Sequence, residues 1–184
     1  MRRILLAATA SLVLAACGDN SGADADGDGT ISMEEARDEL ERADVVKPEP
    51  GKYRATVEFV DVSIPDAPQQ VQDMMRGMFD RGPQTHEYCL TEEDAEKGFE
   101  EMAKRGQEDS DSCSFEKFDA SGGKIDAVMN CSAEGEGTAR MTLNGTGGPT
   151  SSEMTMTMNA KAPDGKTMTM TMKSSQERIG DCDA

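Results

Sequence analysis

The chain has 184 residues, 36 acidic against 19 basic side chains, and a formal charge of −17. So acidic a chain argues against a nucleic-acid partner, because phosphate backbones are held by clustered Lys and Arg and are repelled here. Trp is absent while Met occurs 14 times, so a core has to be made from Met, Val, Ile and Leu.

Met1-Arg2-Arg3 opens the chain, and the apolar run Ile4 to Ala16 follows. A short basic stretch before about 13 apolar residues is the pattern of a secretory signal and is too short to span a bilayer. The run ends Leu14-Ala15-Ala16-Cys17, small residues directly before a cysteine. That ending resembles the bacterial lipobox, where the thiol is acylated and the chain is cut in front of it. The resemblance implies that residues 1–16 are a removable lipoprotein signal peptide. It also implies a protein of the cell envelope, tied to the membrane through lipidated Cys17. Gly18, in place of an Asp after Cys17, is similar to the sorting pattern of outer-membrane lipoproteins that face the periplasm. Several acyl chains together anchor a protein stably, which one chain does not.

Residues 17–50 form an acidic leader. Its first part, 17–30, is rich in Gly, Asp, Ser and Ala, with little to bury, and is expected to be a tether or to be ordered by metal. Within it stands Asp24-Ala25-Asp26-Gly27-Asp28-Gly29-Thr30-Ile31-Ser32-Met33-Glu34-Glu35. Calcium is a hard cation that takes six to eight oxygens at about 2.3–2.6 Å. Asp24, Asp26 and Asp28 offer carboxylates from alternate residues, and Gly29 permits a sharp turn. Thr30 offers its backbone carbonyl, Ser32 ligates directly or through a water, and Glu35 closes the set with two oxygens. Over 24–43 the stretch resembles the EF-hand family. That resemblance implies Ca2+ as the bound ion and a helix leaving the loop, read here over 33–43 with Ala36, Leu40 and Ala43 on one face. The pattern departs from the family in two ways: no helix enters the loop, and no second loop pairs with Ile31. Weak affinity, around 0.1–1 mM, is expected. Ser32 with Glu35 also makes an N-terminal capping box, so the same residues suit an acidic linker that merely starts a helix.

Lys47-Pro48-Glu49-Pro50-Gly51 breaks the chain and marks the boundary to a β-rich domain over 51–184. Tyr53, Ala55, Val57 and Phe59 alternate with Arg54, Thr56 and Glu58, as a half-buried strand does. Residues 67–80 place Val71, Met74, Met75, Met78 and Phe79 at helical spacing. His86–Leu90 reads as short and extended. Thr91 and Asp94 start a helix to about Arg105, with Ala95, Phe99, Met102 and Ala103 as its buried stripe. Strands follow over 112–120, 124–132, 137–144, 151–160 and 166–175, separated by Gly122-Gly123, Gly135, Gly145 to Pro149, and Asp164-Gly165. The fold class is α+β, mainly β. It is an antiparallel meander of about six strands, free to curl, covered by two short helices and preceded by half an EF-hand.

Four cysteines remain after Cys17, and an even number in an exported chain implies two disulfides. A turn at residues 121–123 would set Cys113 opposite Cys131, which favours that bridge and leaves Cys89 with Cys182. Cys89–Cys113 with Cys131–Cys182 stays open, because a one-residue slip removes the reason. Met154, Met156 and Met158 alternate with Thr, as do Met168, Met170 and Met172 across the Asp164-Gly165 turn. Six thioethers therefore share one face. They suit a core of flexible side chains, a groove for an apolar ligand, or, least well, a soft metal.

No catalytic constellation is legible. His86 stands alone, the thiols are spent in disulfides, and no Ser lies in a nucleophile motif. A binding or structural module without enzymatic activity is expected, with no protein partner specified. Tyr88-Cys89-Leu90-Thr91, Cys113 before a strand, Gly122-Gly123-Lys124, Cys131, the Met-Thr repeats and Arg178-Ile179-Gly180-Asp181-Cys182 resemble an uncharacterised family of exported Gram-negative proteins. The resemblance covers about 52–182 and implies an envelope location and no assigned activity. The acidic leader lies outside it.

Overall fold

Alternating apolar and polar residues, broken by glycines that turn the chain, shape most of this molecule. A computed structural model describes residues 23–43, 46–79, 82–95, 112–133, 135 and 137–183. Residues 1–16, expected to be a signal peptide, and Cys17 lie outside the described residues, as do Phe99, Met102 and Ala103. In chain order the elements are α1 (Met33–Arg42), β1 (Gly51–Ser63), α2 (Gln69–Phe79), β2 (Gln84–Leu90), β3 (Cys113–Asp119), β4 (Lys124–Ala133), β5 (Gly137–Gly147), β6 (Ser151–Lys161) and β7 (Thr167–Gly180).

The strands form one sheet in the order β2-β1-β7-β6-β5-β4-β3, and every neighbouring pair is antiparallel. Consecutive strands from β3 to β7 make the expected meander. β1 pairs with β7, so the first and last strands of the domain are neighbours. The sheet has seven strands, not six, and it stays open, with β2 and β3 as its edges. The seventh is β2, which pairs with β1 from Gly51↔Leu90 to Val57↔Gln84. Its residues Gln84 to Glu87 are all exposed, so no burial alternation marks them as a strand. Glycines at positive φ make the turns, among them Gly122 and Gly123 (φ 58° and 73°) between β3 and β4, and Gly165 (φ 86°) between β6 and β7.

Residues paired across antiparallel strands point to the same face. The register therefore runs one apolar row through Phe118, Ala127, Leu143, Met156, Met172 and Phe59, and a second through Met129, Met141, Met158, Met170 and Val62. The other face is polar: Thr157 and Thr171 pair their hydroxyls at 3.3 Å, and Arg140 reaches Glu116 and Asn130 across two strands. Arg140, and Asn130 after it, hold the Glu116 carboxyl at about 2.

The helices sit at opposite ends of the apolar face. α2 packs on β1, with Phe79 against Phe59 at 4.8 Å between ring centroids. α1 packs on β3, where Ala23, Ile31, Ala36, Phe118, Ala120 and Ala127 form a buried cluster joined by Leu40, Phe115 and Leu143. Of the helix expected over 91–105, the described part is its first turn. The Asp94 N–H donates to Thr91 Oγ1 at 3.1 Å and the Ala95 N–H to the Thr91 carbonyl at 2.9 Å, as a cap requires. The disulfides are Cys89–Cys182 and Cys113–Cys131, the favoured pairing. Cys113 faces Cys131 in the β3–β4 register.

Candidate functional site

Two glycines with positive φ, Gly27 (74°) and Gly29 (88°), fold residues 24–30 into a tight turn. The Asp24 carboxylate sits at its centre, accepting from the Gly27 N–H at 2.8 Å and from the Gly29 N–H at 3.1 Å. Asp26 accepts from the Asp28 N–H at 3.1 Å, and Asp28 accepts from the N–H and hydroxyl of Thr30 at 2.8 and 2.7 Å. Each Asp thus bonds to backbone a few residues ahead, which curls the chain and turns three carboxylates inward. Oxygens of Asp24, Asp26 and Asp28 all lie within 4.8 Å of one another. Oxygens on one calcium ion at about 2.4 Å lie no more than about 4.8 Å apart, so the cluster is close enough to share an ion, although exposed acidic groups commonly lie this close without one.

Glu35 closes the loop from the far side. Its Oε1 accepts from the N–H groups of Ala25 and Asp26 at 3.0 and 3.4 Å, and its Oε2 from the N–H and hydroxyl of Ser32, both at 2.9 Å. Ser32 in turn accepts from the Glu35 N–H at 3.2 Å, which completes the capping box of α1. The Ser32 backbone and then its hydroxyl hold the Glu35 carboxyl below its ordinary 4.5; desolvation opposes them, and the Ala25 and Asp26 N–H groups add smaller lowering effects. Of the six ligands expected, the structure groups three carboxylates, while Ser32 and Glu35 serve the loop's own backbone.

Ile31, for which the sequence offers no second loop, finds its partner in the sheet. Its N–H donates to the Phe115 carbonyl at 2.8 Å, and the Phe115 N–H donates to the Ile31 carbonyl at 2.7 Å. This is a two-bond antiparallel bridge from the loop to the outer edge of β3. Ile31 is 2% exposed and Ala23, just before the loop, 0%. The sequence gives little sign of this contact, because Phe115 belongs to an edge strand interrupted by a bulge after it. Two aromatic residues, Phe115 and Phe118, in so aromatic-poor a chain are the signal that was available.

The methionines occupy the face expected of them. Met156 opposes Met172 and Met158 opposes Met170, while Met154 faces Ser174 and Met168 faces Ala160. All six are half-buried. Beside them lies a groove of about 640 Å³ lined by Met129, Met141, Met168, Ala139 and Ala160 among others. Ala139 and Ala160 are neighbours in one cross-strand row, and their small side chains leave the hollow. His86 stands on the β2 edge near the Tyr88 ring, 6.0 Å between centroids. No helix among the described residues is long and apolar enough to cross a membrane.

The class defined by this geometry is a mainly β protein built on one open antiparallel sheet with a disulfide at each edge strand. Residues 48–182 match the family model described as a protein of unknown function, DUF3617, and the chain belongs to that family. No curated protein matches the chain. No solved structure matches it either. The acidic loop lies ahead of the matched residues.

Proposed function

We propose that this is a calcium-binding lipoprotein of the bacterial envelope, anchored through Cys17, that acts as a binding or structural module without catalysis. The observation that carries the calcium reading is the convergence of Asp24, Asp26 and Asp28 within 4.8 Å, at the spacing of a twelve-residue calcium loop. Thr30 would add its backbone carbonyl, Ser32 a direct or water-mediated contact, and Glu35 its carboxylate. The lipoprotein reading rests on the sequence of residues 1–18. Calcium beside an acylated terminus would draw this acidic leader toward anionic head groups, since the ion offsets charge that they would otherwise repel. Isothermal calorimetry of the processed chain, with Cys17→Ser to omit the lipid, tests the first part. Wild type should bind at submillimolar to millimolar calcium and Glu35→Gln should bind several-fold more weakly. Equal heats from both would remove the site. Palmitate labelling of the Cys17→Ser variant against wild type in a Gram-negative host tests the second.

A second reading is a carrier of an apolar ligand on the methionine face. It is favoured by the half-buried thioethers and the alanine-floored groove beside them. Native mass spectrometry of protein taken from membranes should show a bound lipid, and repeated recovery of the bare chain would sink the reading.

A further inference from the structure

A lone calcium loop is poorly organised, because nothing fixes the backbone on the side opposite the acidic residues. Here that side is fixed by the sheet. Ile31 lies between the Asp28 and Glu35 ends of the loop, and both its backbone groups bond to Phe115. Phe115 is itself held in place, because Cys113, two residues earlier, is covalently tied to Cys131 of β4. We propose that Phe115 is a positioning residue for ion binding at residues 24–35, and that the Cys113–Cys131 disulfide keeps it in register. The edge of β3 thus takes the place of a second loop. This rests on the calcium reading above.

The directions of the groups are specific to this role. The N–H and carbonyl of Phe115 point outward, away from β4, and among the described residues both bond to Ile31. The Ile31 side chain packs into the cluster with Ala36 and Phe118, against which Phe115 also packs. The loop is therefore held to β3 by backbone bonds and by packing together, while its carboxylates stay exposed or half-exposed to solvent. Reciprocity follows: an ion that prefers the docked loop must also strengthen the docking.

The test is calcium titration of the processed full chain by calorimetry. Phe115→Pro removes the outward N–H at a site where an edge strand tolerates proline. One lost backbone hydrogen bond corresponds to roughly 2- to 12-fold, so affinity should fall about fivefold. Phe115→Leu keeps the donor and should bind within about twofold of wild type. The paired change Cys113→Ser with Cys131→Ser should also weaken binding several-fold. Cys89→Ser with Cys182→Ser removes a disulfide at the opposite edge and should leave affinity unchanged, although it lowers stability. That comparison stands even if Phe115→Pro does not fold. Binding by wild type with equal affinity in the Phe115→Pro and Cys113/Cys131 variants overturns the inference and leaves the calcium reading intact. Equal weakening by both disulfide changes overturns it too, since global loosening would then be the cause. No heat from wild type removes the calcium reading and the inference with it.

Discussion

Replacing Ile31 by alanine takes three carbon atoms out of the cluster that seats the leader on β3. Ile31 is 2% exposed and packs with Ala23, Ala36, Phe118 and Ala127, so nearly all of the side chain is shielded from water. At about 0.8 kcal/mol per buried methylene the transfer loss is roughly 2.4 kcal/mol, and the cavity left behind raises it toward about 4. The neighbours are mostly alanines, which are too short to fill the space. The loss should appear first as undocking of residues 23–43, because those residues meet the sheet at its edge. Hydrogen exchange at the Phe115 amide reports this directly, since its outward N–H is bonded to the Ile31 carbonyl. Exchange there should speed up by about 50-fold or more, at 1.4 kcal/mol per factor of ten. Amides in the β5–β6 pairing should be unchanged. If Phe115 exchanges as slowly in the variant as in wild type, Ile31 does not carry the docking and the account of this edge is wrong.

Three more outcomes follow from the geometry. Glu35 titrates below its ordinary 4.5 when folded, so its contribution to loop order is full above that value and is lost as pH falls through the lowered pKa. A carboxyl-carbon NMR titration should show this, with Glu116 protonating later still, near 2. Gly137→Ala should cost roughly 1–3 kcal/mol in urea unfolding, because Gly137 has φ 98° and a Cβ there would run into the Lys161 carbonyl. Removing the Cys89–Cys182 bridge should cost about 4.6 kcal/mol on the chain-entropy scale, against about 3 for Cys113–Cys131, from the 93- and 18-residue separations they close. Denaturant midpoints of the two Ser pairs give the order.

Much of the meander was legible. The glycine turns, with the Met-Thr alternation in the last two, placed five strands, four of them within three residues of their observed ends, while β7 runs on to Gly180, five residues past its expected end. The Cys113–Cys131 pairing was readable for the same reason, since the turn at 121–123 sets the register. β2 was harder to read as part of the sheet, for it lies at an edge with few contacts to pattern its residues. The inward curl of Asp24, Asp26 and Asp28 follows from local side-chain to backbone bonds that sequence spacing encodes. The bridge to Phe115 does not. It joins residues 84 positions apart and depends on which strand ends the sheet, which only the completed pairing order decides.

A face of half-buried thioethers has a chemical consequence that leucine would not bring. Peroxide converts methionine to a polar sulfoxide, and Met156, Met158, Met170 and Met172 stand side by side across two strands. One oxidised sulfur would set a strong dipole against its apolar neighbours and ease the attack on the next. The sheet is thus built from material that oxidants can soften, and reductases that act on methionine sulfoxide can restore it.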